Sequence, residues 1–210
     1  MNIPFKQTPN YTPNQGNKKI GFVLHGTLGA FNGAVEWLMT PPEKRPDGSS
    51  SSAHYVIGRK DGEVIQLVKN EDVSWHAGFI SNPSERAKKA MPKKTDGTFM
   101  NPNQSFIGIE FAWGYDTDND GDVDANDKTL TEWQWKTAIE IIKASGVPFN
   151  PDLILSHQEI ASYKGDNMLF AVNEINKRMA VPETPPAPVT NVKEEIAKKF
   201  DEIAVLVRKL

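Results

Sequence analysis

The 210-residue chain contains no cysteine, which excludes disulfides and thiolate metal sites. Any metal must therefore be held by His, Asp, Glu or backbone oxygen. Long apolar runs are also missing. No stretch approaches the ~18 apolar residues of a membrane span, so no membrane insertion is expected. The polar, proline-bearing start, Met1–Asn14, lacks the apolar core of a secretory signal. The chain is thus expected to be made in the cytoplasm and to reach any outside target only after release. A formal net charge of −3 gives no basic field, which argues against nucleic acid as a partner. Hydrophobic residues, at 38%, are slightly scarce, yet five Trp and ten Phe suffice to build a core.

Five apolar, β-branched runs predict strands at Ile20–Leu24, His54–Ile57, Val64–Val68, Phe106–Phe111 and Leu153–Leu155. Lys60-Asp61-Gly62 predicts a hairpin turn between the second and third. Helical periodicity occurs over Phe31–Met39, Thr131–Ala144 and Met168–Met179; the second places Trp135, Ala138, Ile141 and Ile142 on one face. Interleaved strands and helices predict an α/β domain with a mixed central β-sheet flanked by helices. Thr40–Ser52 and Ile80–Gln104 are polar and irregular and read as long surface loops of the kind that line clefts. The expected organisation is a catalytic domain over 1–180, a linker over Val181–Asn191 with four prolines, and a C-terminal helix over 192–210. In that last segment Ile196, Phe200, Ile203, Val207 and Leu210 form one apolar stripe, which predicts pairing with a second chain or docking on the domain. Self-association is favoured, because the linker holds the segment away.

The only four histidines are His25, His54, His76 and His157. His25 and His157 each end a predicted strand and open into a loop, where side chains of an α/β sheet converge in a crevice. Asp166 follows in the loop after His157. Two His and one Asp suit a catalytic zinc with an open fourth position, although single histidines at strand ends are commonly structural. The alternative for Glu110 is a strand carboxylate paired with a nearby lysine, and for Lys164 a solvated loop lysine. His76 and His54 could equally be packing or hydrogen-bonding residues.

The ordered motifs Val23-Leu24-His25-Gly26-Thr27, Ala53-His54-Tyr55-Val56-Ile57, Trp75-His76-Ala77-Gly78, Ile107-Gly108-Ile109-Glu110 and Ser156-His157-Gln158-Glu159-Ile160, continuing to Lys164 and Asp166, span most of the chain. Together they resemble the zinc N-acetylmuramoyl-L-alanine amidases of type 2, a family that includes phage endolysins and is related to the peptidoglycan recognition proteins. The resemblance implies that fold, peptidoglycan as substrate, and hydrolysis of the amide between N-acetylmuramic acid and L-alanine. It implies His25, His157 and Asp166 as zinc ligands, Glu110 as the acid that activates the attacking water, and Lys164 as the cation that steadies the oxyanion. His54 and His76 fall at positions in or near the substrate groove. The family pattern carries Pro-Gly after the Asp ligand, where this chain has Asn167-Met168. Rival readings are a peptidoglycan-binding module without catalysis, against which the full residue set speaks, and an amidase recycling soluble muropeptides.

A second metal pattern runs from Asp116 to Asp127. Asp116, Asp118, Asp120, Asp124 and Asp127 fall at loop positions one, three, five, nine and twelve of a calcium loop, with Gly121 at the sharp turn and Asp122 beside it. The segment resembles dockerin-type calcium loops and predicts a structural Ca2+ in addition to Zn2+. The alternative is an acidic surface turn, although six aspartates so close repel one another without a cation.

Overall fold

A computed structural model describes residues 1–13 and 18–181. The predicted C-terminal helix, and the predicted linker beyond Val181, lie outside the described residues. One compact unit runs from Met1 to Met179. Its strands are β1 (Tyr11–Thr12), β2 (Gly21–Gly26), β3 (Tyr55–Ile57), β4 (Val64–Gln66), β5 (Val73–Ser74), β6 (Phe106–Phe111) and β7 (Ile154–Ser156). Its helices are α1 (Phe31–Met39), α2 (Glu85–Ala90), α3 (Pro102–Ser105), α4 (Glu132–Ala144) and α5 (His157–Ile160), with α6 at Leu169–Ala180.

Five strands form one mixed sheet in the order β4-β3-β6-β2-β7. β3, β6, β2 and β7 are mutually parallel, and β4 returns antiparallel as the edge. The expected hairpin joins β3 to β4, with Gly62 at φ +86°, a left-handed turn conformation that glycine adopts without strain. β2 is buried from Gly21 to His25, as expected of a parallel strand covered on both faces.

The two-residue period of the strands sorts their side chains into two layers. Phe22 and Leu24 of β2, with Ile107, Ile109 and Phe111 of β6, pack against Trp135, Ala138, Ile141 and Ile142 of α4 and Ala171, Val172 and Ile175 of α6. α4 starts at a capping box in which Thr131 and Gln134 satisfy each other's backbone amides. The opposite face carries Val23, Phe106 and Leu155 against Ala77, Ala87 and Met91, and Val56 against Leu38 of α1. His25, Gly108 and Glu110 share the parity of Val23 and Phe106. They therefore point away from the large helices, toward the side covered by α1 and the loops.

The long loops hold more structure than their composition indicates. Residues 80–104 contain α2 and α3, capped by Ser84 and Asn101. The 40–52 segment is tied down by Arg45, which is 4% exposed and donates to the carbonyls of Trp37, Thr40 and Ser51.

Candidate active site

His25 is the fifth residue of β2, and its register partner on β6 is Glu110. On the other side of β2 lies β7, whose last residue, Ser156, caps α5 and is bound through its backbone amide to Glu159 Oε2. Arg86 fixes Glu159 from across the fold with two bonds of 3.0 and 3.1 Å. This clamp sets the start of α5, and His157 is its first residue. Asp166 then folds back from the following loop.

Three ligand atoms converge. His25 Nδ1 and His157 Nδ1 are 3.0 Å apart, and Asp166 Oδ2 lies 3.1 Å from the second and 3.5 Å from the first. All three residues are at most 7% exposed. Burial pushes the Asp166 carboxyl up, but His157 and His25 outweigh it when their rings carry a proton toward the carboxylate, and then hold the group well below the usual carboxylate range. Burial and the adjacent His157 push the His25 imidazole down to about 4, against the pull of Asp166. His25 is therefore neutral at pH 7.

The fit of this triangle to a metal can be tested on its chemistry. His157 Nε2 faces the Ala77 carbonyl at 3.1 Å, and a carbonyl only accepts, so Nε2 carries a proton and in the neutral ring Nδ1 is bare. A bare nitrogen facing a carboxylate at hydrogen-bond distance is repulsive unless a cation lies between them. Zinc bonds of 2.0–2.1 Å at tetrahedral angles separate ligand atoms by about 3.3 Å, and the three observed edges match that within about 0.3 Å. The residues fit a zinc ion with one position left open to the cleft.

Glu110 is the register neighbour of His25 and lines the same cleft as the triangle. Burial, reinforced by the negative charge of Asp166, pushes its carboxyl up to about 8, with Lys164 acting in the opposite direction. Among the described residues no hydrogen-bond donor engages the Glu110 carboxylate, which leaves it free for a proton in the cleft. That cleft has a volume of about 500 Å³ and is lined by all three triangle residues, Glu110, Lys164 and His76. Its far wall is apolar: Leu28, Ala34, Trp37 and Leu38. Leu28 is 60% exposed at φ +51°, a costly backbone state for a leucine, and such strain concentrates at functional sites. Sequence reasoning missed this wall. The strained Leu28 follows the His25 motif directly, but Trp37 carries no signal distinguishing it from a core residue of α1.

The structure separates the two groove histidines. His76 lines the cleft and lies directly behind His25. His54 does not line it. It is fully buried, accepts from the Gly108 amide at Nδ1 and faces the Asp72 carbonyl through Nε2. His54, expected at the substrate groove, thus lies outside the lining of this cleft. Its position at the head of β3 puts it inside the layer between the sheet and the loops.

The acidic loop comes together only in part. Asp116, Asp118 and Asp120 can bring carboxylate oxygens within 4.8 Å of one another. Asp122 and Asp124 stand apart from this group. Asp127 is bonded to Thr117 and to the Asp124 amide, closing the loop on itself.

Residues 15–168 match the family described as N-acetylmuramoyl-L-alanine amidase. N-acetylmuramoyl-L-alanine amidase A of Achromobacter lyticus is 30% identical over 61 residues, which cover 29% of this chain and 31% of that relative. The fold is similar to that of the amidase AmiD from E. coli, solved with anhydro-N-acetylmuramic acid-L-Ala-D-gamma-Glu-L-Lys, at TM-score 0.51 and 21% identity, covering 87% of this chain and 63% of that one. It is also similar to the E90A mutant of PlyL, at TM-score 0.52 and 16% identity, covering 86% of this chain and 100% of that one.

Proposed function

The chain belongs to the N-acetylmuramoyl-L-alanine amidase family, and on that premise we propose that it hydrolyses the amide joining the lactyl group of N-acetylmuramic acid to L-alanine in peptidoglycan, with zinc held by His25, His157 and Asp166. The observation that carries this reading is the buried triangle of lone-pair donors with Glu110 in register beside it. Zinc bound there would polarise the carbonyl and bring a water's pKa to about 7. The Glu110 carboxylate takes the proton of the attacking water as its oxygen adds to the carbonyl carbon. It returns that proton to the alanine nitrogen as the C–N bond breaks, and the acid proton of the new carboxyl group passes to the freed amine, giving a carboxylate and an ammonium. The Lys164 ammonium faces the same space and offsets the charge that develops on the carbonyl oxygen. One such donor is worth on the order of 3 kcal/mol of barrier.

Mass spectrometry of digested cell walls tests the reaction. Free L-alanine amines on intact glycan strands are expected, whereas new reducing ends would mean glycosidase action and end the proposal. Comparing whole walls with soluble muropeptides separates an endolysin or autolysin, which acts on the wall after release, from a recycling enzyme. Metal dependence is a second expected result. Dialysis against a zinc chelator should abolish turnover, and one equivalent of zinc should restore it. Full activity in metal-free protein would exclude the zinc reading.

A structural calcium in the 116–127 loop is a separate proposal, supported by the convergence of Asp116, Asp118 and Asp120. Calcium at ten times its Kd would stabilise the fold by about 1.4 kcal/mol, a rise of roughly 3–5 °C in Tm. An unchanged melting curve with calcium added to zinc-loaded protein would leave the loop as an acidic turn.

A further inference from the structure

We propose that His76 is a positioning residue: it fixes the ring proton of His25 on Nε2 and so keeps His25 Nδ1 bare for the metal, an inference that rests on the zinc reading above. The order of contacts decides the protons. His76 Nε2 lies 3.2 Å from the carbonyl oxygen of Phe106. That oxygen can only accept, so in neutral His76 the proton sits on Nε2 and Nδ1 is an acceptor. His76 Nδ1 is 3.0 Å from His25 Nε2. His25 must then donate through Nε2, and its remaining lone pair points from Nδ1 into the triangle with His157 and Asp166. The carbonyl of β6 is thus read out, through two imidazoles, as a metal-ready tautomer.

The surroundings are built to hold His76 there. The backbone amides of His76 and Ala77 both donate to Asn103 Oδ1, at 3.0 and 2.7 Å. Beneath the ring lies Gly108, where a Cβ would come within 2.5 Å of His76 Cγ, so only glycine lets the imidazole rest on β6. On the far side the His54 ring meets His76 edge-on at 5.9 Å. His54 Nδ1 already accepts from Gly108, so it does not compete for the proton of His76. The chain's four histidines are therefore stacked in one buried row, and only the last two face the proposed ion. The sequence places His76 in a groove motif; its contacts add to that place the support of a ligand.

Three proteins test this: the full chain, His76→Phe and His76→Asn. Asparagine Oδ1 falls where histidine Nδ1 lies and keeps the acceptor; phenylalanine removes it. Both variants lose the bond to Phe106, so any general loss of stability is common to them. Zinc Kd, measured by competition with a chromophoric chelator, is expected to rise about 10- to 100-fold in His76→Phe and to stay within about threefold in His76→Asn. In metal-free wild type, the ring 15N shifts of His25 are expected to show a protonated Nε2, and in His76→Phe a mixture of tautomers. Equal zinc affinity in all three proteins, an asparagine variant as weak as the phenylalanine one, or an unprotonated His25 Nε2 in the wild type would overturn the proposal. If the wild type fails to bind zinc at all, the zinc reading falls, while the 15N shifts still decide the tautomer.

Discussion

Glu110→Gln is expected to lower kcat by about 10³-fold while zinc content and KM change little. The side chains have nearly the same shape, so the half-buried position on β6 is not opened. What is lost is the ability to take and return a proton, which contributes about 10²- to 10⁴-fold in such reactions. A factor of 10³ corresponds to about 4 kcal/mol of barrier. Glu110 is not in the ligand triangle, so metal binding should survive. The pH profile gives a second check. Burial and the charge of Asp166 push the metal-free carboxyl up to about 8. A dication on His25, His157 and Asp166 would favour the ionised form and draw that value down. The acid limb of kcat/KM in the wild type should thus shift upward when the ion is weakened, and should be absent in Glu110→Gln. A variant that keeps a tenth or more of wild-type turnover would place the base elsewhere.

Much of this site was legible in the chain because it rests on local pattern. His25 and His157 were found at the ends of apolar runs, and Glu110 in another such run. Their convergence was not legible: the pairing of His25 with Glu110 depends on β2 lying between β6 and β7, a matter of non-local sheet order. The place of His76 was hidden for the same reason. It follows from a loop after β5 that is pinned by Asn103, 27 residues away. The depth of His54 was not legible, because a motif position says nothing of depth; its ring is taken up by backbone groups of β6 and the 72 turn. The helices inside 80–104 escaped because α2 buries only Ala87 and so has no apolar stripe to announce it. Asn167-Met168, in place of Pro-Gly, does not displace Asp166 from the triangle; Asn167 instead accepts the Leu169 amide at the start of α6.

The same stack of histidines should make the metal-free fold acid-sensitive. Burial pushes His25 down to about 4 and His54 to about 3, with the neighbouring charges of His157 and Lys19 adding to it respectively. Burial, then His25 and His54, lower His76 well below 6.5. Each group is neutral in the fold and takes a proton when unfolded below pH 6.5. Their contribution is therefore fully present above 6.5 and lost as pH falls toward the folded values. Glu110 acts in the opposite sense. Its folded value of about 8 lies above the unfolded 4.5, so between these values the fold binds the extra proton. Near pH 5.5 the unfolded chain thus gains about three protons and the folded one about one. The net difference of about two gives a slope near 2.7 kcal/mol per pH unit. Against a total stability of about 5–15 kcal/mol, this is enough to unfold the protein within a few pH units. The slope counts protons, so it does not depend on the size of each shift. Urea unfolding of metal-free protein at pH 5.0, 5.5, 6.0 and 6.5 measures it. His54→Asn keeps an acceptor for the Gly108 amide but removes one titrating ring, and should reduce the slope by about 1.4 kcal/mol per pH unit. A flat profile in the wild type, or an unchanged slope in His54→Asn, would show that the buried imidazoles do not stay neutral in the fold.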